Sequence, residues 1–218
     1  MKPKSALVVL RVVSVHNNSC MKSHKPFYFI LVLSLTLLGS NAWPDEKLAS
    51  TVAINPNRTL GWEDFKVVKV IQGKSTINAI CLSTCEVEIL RVAPRGKHVS
   101  LDVRANVQHQ PELSQVTERF LANNDAATKA QVLHHENGHF LIAQIIGHRI
   151  VKDAQGYAFD PKNYKAQLNQ IIKTHFRSWS QMDQLYDLES TNPRNPIMQK
   201  KWDDYFEKEL NKFTGTSN

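Results

Sequence analysis

From Ala126 to about Val151 the chain contains no proline, and apolar residues recur at Ala130, Leu133, Phe140, Leu141, Ala143, Ile145, Ile146 and Ile150. That spacing fits the turn of a helix better than the alternation of a strand, and it predicts one long helix. Asn123-Asn124-Asp125 just before it supply N-cap candidates, since short polar side chains accept from the unpaired N–H groups of a first turn. Within the helix lies the run His134-His135-Glu136-Asn137-Gly138-His139. Residues four apart share a helix face, so His135 and His139 can reach one common point with Glu136 beside them. Gly138 costs about 1 kcal/mol relative to alanine at an interior helix position, which fits either close backbone packing or simple tolerance.

The chemistry that uses this pattern is that of a metal-dependent hydrolase. Two imidazoles on one helix face can bind a tetrahedral Zn²⁺, and the adjacent glutamate can take a proton from water that the metal activates. Glu136 is therefore the candidate general base, with His135 and His139 as metal ligands. His134 points about 100° away from His135 around the helix. A ligand pair of His134 and Gly138 is impossible because glycine has no side chain, so the register of the site is unambiguous. His148 falls about 180° from His139 and is expected to be a surface or packing residue.

A catalytic zinc site usually takes three protein ligands, so a third must come from elsewhere. A second long helical stretch, about Lys162 to Glu189, carries an apolar stripe through Leu168, Ile172, Trp179, Met182 and Tyr186, with His175 on the same face. With Ile172 at 0° the stripe centres near about 310°, Glu189 falls near about 260° and Asp187 near about 60°. Glu189 is the better aligned and is the expected third ligand. Asp187 stands in reserve, as a ligand or as a carboxylate that orients a histidine, and the bland alternative makes both ordinary helix-end residues. His175 is more naturally a satisfied core histidine. Tyr186 or Tyr157 could stabilise an oxyanion, and both are equally plausible as core residues.

The chain has 218 residues, the size of one ordinary domain. Residues 1–42 read as a secretory signal peptide. Lys22 and Lys25 precede an apolar run from Phe27 to Leu38, and Ser40 and Ala42 fit a cleavage site before Trp43. Met21 heads a conventional signal and is the suspected true start. The apolar run is short of the roughly 20 residues needed to span a bilayer, so no stable membrane anchor is expected after cleavage. Location in the periplasm or outside the cell follows from that leader. The net charge of +7 comes from 27 basic and 20 acidic residues; residues 1–42 hold five of the bases and no acid, leaving 22 against 20. So near-neutral a mature chain, residues 43–218, gives no reason to expect a nucleic-acid partner. Its two cysteines, Cys81 and Cys85, would form either a local disulfide or two separate buried thiols.

Before the long helix the chain is strand-like at Val67 to Ile71, in broken alternation from Ile77 to Val92, and in clear alternation from Val99 to Val107. Turns are expected near Gly73 and at Pro94-Arg95-Gly96-Lys97. Leu60-Gly61-Trp62-Glu63-Asp64-Phe65 places two large aromatics three apart, expected as a packing anchor rather than a binding box, and a last helix is expected from about Pro196 to Phe213. Strands followed by helices read as α+β, a small, mostly antiparallel sheet with the helices packed on one side.

Leu60-Gly61-Trp62-Glu63-Asp64-Phe65, His135-Glu136-Asn137-Gly138-His139-Phe140, and Tyr186-Asp187-Leu188-Glu189 followed by Gln199 and Trp202 resemble a bacterial family of secreted zinc-dependent proteases known as a domain of unknown function. The resemblance spans roughly Leu60 to Trp202. It implies a single zincin-like metallopeptidase domain with zinc on His135 and His139, Glu136 as general base, and a peptide or protein substrate. Where the family shows a threonine and then a His-Gly pair after its Tyr-Asp-x-Glu block, this chain has Ser190 and Asn192-Pro193. The functional alternatives are a non-catalytic binding protein on the same scaffold and a zinc amide hydrolase acting on cell-wall material. The oligomeric state is left open by the sequence.

Overall fold

The computed structural model describes residues 59–73, 76–190 and 195–214, together with three strand segments at 9–14, 31–34 and 51–53. The remaining residues, including most of the expected leader and Asn192-Pro193, lie outside the described residues. The fold is α+β, with a small, mostly antiparallel sheet and long helices.

Its centre is a hairpin of β6 (Ser83–Arg95) and β7 (His98–His109), turned at Gly96, whose φ of 62° is the left-handed conformation that glycine adopts without strain. Alternation puts one face of each strand in the core: Cys85, Val87 and Ile89 pair across the ladder with Val107, Ala105 and Val103. A bulge between Ile89 and Arg91 shifts the register, which is why the alternation in β6 fades toward its end. Around the hairpin, β1 (Val9–Ser14), β2 (Leu31–Ser34) and β3 (Thr51–Ala53) complete the order β2-β1-β6-β7-β3, with β3 parallel to β7; β1 and β2 fall within the stretch expected as a leader, and its removal would leave β6 at the edge of a three-stranded sheet β6-β7-β3.

A second small sheet joins β4 (Lys66–Val68), β5 (Ala79–Ile80) and β8 (Gln115–Thr117) in the order β4-β8-β5. The strand expected from Val67 to Ile71 is thus shorter and begins one residue earlier. The broken alternation after Ile77 has a cause as well. Cys81-Leu82 carry the chain from one sheet to the other, and the Ser114 hydroxyl accepts from Leu82 N at 2.9 Å. Cys81 and Cys85 are separate buried thiols, and burial, assisted by the charge of Glu86, pushes Cys85 up to about 12.

Helix α1 (Glu118–Asn123) leads into α2 (Ala126–Gly156), where Asp125 is the N-cap, its Oδ1 accepting from Thr128 N at 2.6 Å. Helices α3 (Tyr164–Ser190) and α4 (Pro196–Thr214) follow. Between α2 and α3 the chain is pinned to the sheet by a pair of backbone bonds between Val99 and Phe159. Helix α2 packs on β7 on one side and on both α3 and α4 on others. Its middle turns are therefore enclosed: Ile142, Ala143, Ile145, Ile146 and Ile150 are all fully buried. Of the long helices, α2 makes the main contact with the sheet, and α3 and α4 pack on α2 rather than all three lying on the sheet. No helix among the described residues is long and apolar enough to cross a membrane.

The aromatic block at Leu60–Phe65 is a packing anchor. Trp62 meets Phe65 and Phe120 edge-on at 5.3 and 5.8 Å, and Leu60 is buried. What fixes the block in place comes from α2. Asn137 Oδ1 accepts from Leu60 N at 2.7 Å while its Nδ2 donates to Leu60 O at 3.1 Å, so one amide side chain satisfies a whole backbone unit.

Candidate metal centre

His135 and His139, one turn apart on α2, both turn toward α3, where a single carboxylate meets them. Asp187 Oδ1 stands 3.1 Å from His135 Nε2 and 3.1 Å from His139 Nε2. The three side chains form the candidate metal-holding group among the described residues, each offering one ligand atom within 4.8 Å of the others. Tetrahedral zinc with bonds of about 2.0–2.2 Å places its ligand atoms roughly 3.3 Å apart, so this two-nitrogen, one-oxygen set fits the ion in both chemistry and spacing.

Helix α3 also holds the far side of each imidazole. Asp183 Oδ1 lies 3.0 Å from His139 Nδ1, and Ser190 Oγ lies 3.1 Å from His135 Nδ1. Both residues are buried. A carboxylate can only accept, so in the absence of an ion both His139 nitrogens donate, Nδ1 to Asp183 and Nε2 to Asp187. Burial by itself works against charge on His139. The Asp187 charge, the hydrogen bonds from Asp183 and Asp187 and the Asp183 charge outweigh it, and the group sits well above the usual histidine range.

Tyr186 makes the wall behind the site. Its ring stacks on His135 at 4.5 Å and 14°, its hydroxyl donates to His135 O at 3.1 Å, and Gln199 Nε2 of α4 donates to that hydroxyl at 2.9 Å. Burial, against the Gln199 bond, raises the phenol well above its ordinary value and keeps it a donor. The packing also explains Gly138. A Cβ there would lie 2.2 Å from Tyr186 Oη and 2.4 Å from Cζ. Of the two readings open from the sequence, close packing is the one the geometry supports. Gly138→Ala should therefore destabilise the fold by about 1–3 kcal/mol despite alanine's better helix propensity. A thermal melt checks this, and an unchanged or raised Tm would refute it.

Glu136 points from the same turn of α2. It is 5 % exposed, and among the described residues its carboxylate has no hydrogen-bond partner. Its charge nonetheless reaches the neighbourhood. Cys81, pushed well up chiefly by burial, is raised further by Glu136 and Asp183, which sets the crossover between the two sheets beside the site.

Glu189, the expected third ligand, stands apart from the histidines. Its Oε2 accepts from Trp202 Nε1 of α4 at 2.8 Å, and Asp187 takes the position at the histidines. The stripe used to orient α3 counted Met182, which is only half-buried, and left out Phe176, which is buried. With Leu168, Ile172, Phe176, Trp179, Asp183, Tyr186 and Ser190 as the buried set, the face centres near about 0°, so Asp187 lies about 60° from it and Glu189 about 100°. Asp183 went unnoticed in the sequence. The signal for it was a second carboxylate four residues before Asp187, on the buried side of a helix where aspartate is rare.

Neither expected oxyanion tyrosine is placed for that task. Tyr186 is fully buried with its hydroxyl engaged, and Tyr157 caps the far end of α2, its ring tilted at 55° against Phe159 at 4.7 Å. The remaining helix histidines serve packing and pairing: His134 with Asp203 at 2.9 Å, His148 stacked on Phe213 at 4.5 Å, His175 with Asp153 at 2.8 Å. Comparison with protein-family models, curated proteins and solved structures finds no match to this chain.

Proposed function

We propose that this chain is an exported zinc-dependent metallopeptidase of the zincin type, with His135, His139 and Asp187 as zinc ligands and Glu136 as general base. The observation that carries the proposal is the pairing of two features on one turn of α2. Two imidazoles share a carboxylate oxygen at 3.1 Å, and an unpartnered buried carboxylate, Glu136, stands beside them. The motif resemblance at Leu60–Phe65, His135–Phe140 and Tyr186–Glu189 supports the same assignment, and the near-neutral mature chain suits a peptide or protein substrate rather than a nucleic acid.

When bound, zinc supplies a Lewis acid that polarises a carbonyl and eases deprotonation of water. Glu136 takes the proton from the attacking water at its carboxylate and returns it to the departing amine nitrogen. Asp183 and Ser190 hold the two imidazoles with their Nε2 atoms toward Asp187, and Tyr186 closes the back of the site against solvent.

Metal removal tests this directly. The purified chain should carry about one zinc, and at a free metal concentration 100 times Kd the ion stabilises the fold by about 2.7 kcal/mol, so chelation should lower Tm by roughly 5–10 °C. Peptide cleavage should disappear with the metal and return with it. A chain that folds without stoichiometric metal and melts identically in chelator would instead be a non-catalytic protein on this scaffold, while zinc with no peptidase activity but cleavage of cell-wall amides would move the substrate.

A further inference from the structure

The two ends of α2 differ in charge. Around its first half stand the carboxylates of Glu136, Asp183, Asp187 and Asp203. Its other end is basic. The paired backbone bonds of Val99 and Phe159 bring together the β6–β7 turn, the C-terminus of α2 and the approach to α3. Arg95 and Lys97 flank that turn, Lys152 lies near the end of α2, and Lys162 and Lys165 stand at the entry to α3. All five are exposed, and none is in an ion pair among the described residues. The acids nearby have partners of their own. Asp102 pairs with Arg91 at 2.6 Å, Asp153 with His175 at 2.8 Å, and Asp160 Oδ1 accepts from Lys162 N and Asn163 N. Exposed apolar side chains accompany the cations: Tyr157, which follows α2, is 41 % exposed, and Val92 of β6 is 36 % exposed.

We propose that this basic end is a peripheral docking surface for the anionic phospholipid headgroups of a bilayer. Residues 43–218 hold 22 bases against 20 acids, so net charge supplies almost no attraction. The attraction comes from the separation of charge along α2. A negative surface draws in a cluster of cations that lie within its screening length and repels the carboxylates at the other end, so the molecule docks in one orientation. Tyr157 favours a bilayer over a soluble polyanion. A phenol has an apolar ring and a polar tip, which suits the headgroup level of a membrane, whereas a charged polymer offers the ring nothing apolar to enter. About 25 Å of helix separates Gly156 from His139, so the docked protein carries its histidine pair away from the bilayer. The surface does not depend on the metal assignment.

Vesicle flotation of the leader-free protein recovered after export reads this out. It should bind vesicles of phosphatidylglycerol and phosphatidylcholine, ignore phosphatidylcholine alone, and come off as salt approaches about 1 M, where the screening length falls to about 3 Å. Arg95→Glu combined with Lys97→Glu should weaken binding by about 100-fold or more, since each basic residue near such a surface contributes about 5-fold and the reversal also adds two repelled charges. The same change at Lys200 and Lys201, exposed at the start of α4 beside the metal centre, should cost only a few-fold. Tyr157→Ser should weaken vesicle binding several-fold without altering its salt dependence. All of these positions are exposed, so the variants should melt with the wild type. Equal losses in the two double variants would overturn the location of the surface. A wild-type protein that ignores phosphatidylglycerol vesicles would overturn the proposal outright. So would vesicle binding that dextran sulfate abolishes and Tyr157→Ser leaves untouched, which would make the partner a charged polymer. Zinc content enters none of these readings, so the docking surface and the metal site stand or fall separately.

Discussion

Glu136→Gln should retain its zinc and lose peptide cleavage by about 10²- to 10⁴-fold, the range typical of a positioned proton-transfer group. That corresponds to roughly 3–5 kcal/mol of transition-state stabilisation. The substitution keeps the shape of the side chain and removes its charge, and Glu136 makes no hydrogen bond among the described residues whose loss would disturb the fold. Stability should therefore stay close to wild type. The combination is diagnostic: lower turnover, unchanged metal content and an unchanged Tm. Cleavage at the wild-type rate would remove Glu136 from the reaction.

The second large effect separates the two acids that the sequence left in competition. Asp187→Ala should weaken zinc binding by about 100-fold or more, on the scale of the 10–16 kcal/mol that structural sites share among four ligands. Glu189→Ala should leave the affinity close to wild type, because its carboxylate accepts from Trp202 Nε1 and does not meet the histidines. Its cost should appear instead in the packing of α4 on α3, as a modest fall in Tm. The reverse pattern, with Glu189→Ala losing metal and Asp187→Ala keeping it, would reassign the third ligand.

Much of this molecule can be read from its residues. The proline-free apolar stretch after Asp125 is a helix bounded by that N-cap, and the alternation from Val99 to Val107 is the strand it packs on. The histidine register follows from geometry alone, since glycine at position 138 leaves one possible ligand pair. What could not be read is where a second helix turns its polar residues. Apolar side chains define the face of α3, yet its buried side also carries Asp183 and Ser190, which meet the histidines of α2 and are not buried by hydrophobicity. A stripe of apolar residues points to the core, and a metal site is a place where the core is polar. Asn137 illustrates the same limit. It occupies a position inside the histidine motif that the chemistry does not specify, and its task, holding the backbone of Leu60 some 77 residues away, is invisible until the chain is folded.

The arrangement of α3 against α2 has one further consequence. His135 and Asp187 are 52 residues apart, and the two cysteines of the described chain are not bridged to each other. With an ion in place, the helices would be joined by a cross-link that closes a long loop, as a disulfide does, but one that the surroundings can withdraw and return without altering a covalent bond. The durability of this protein would then depend in part on the metal supply it meets.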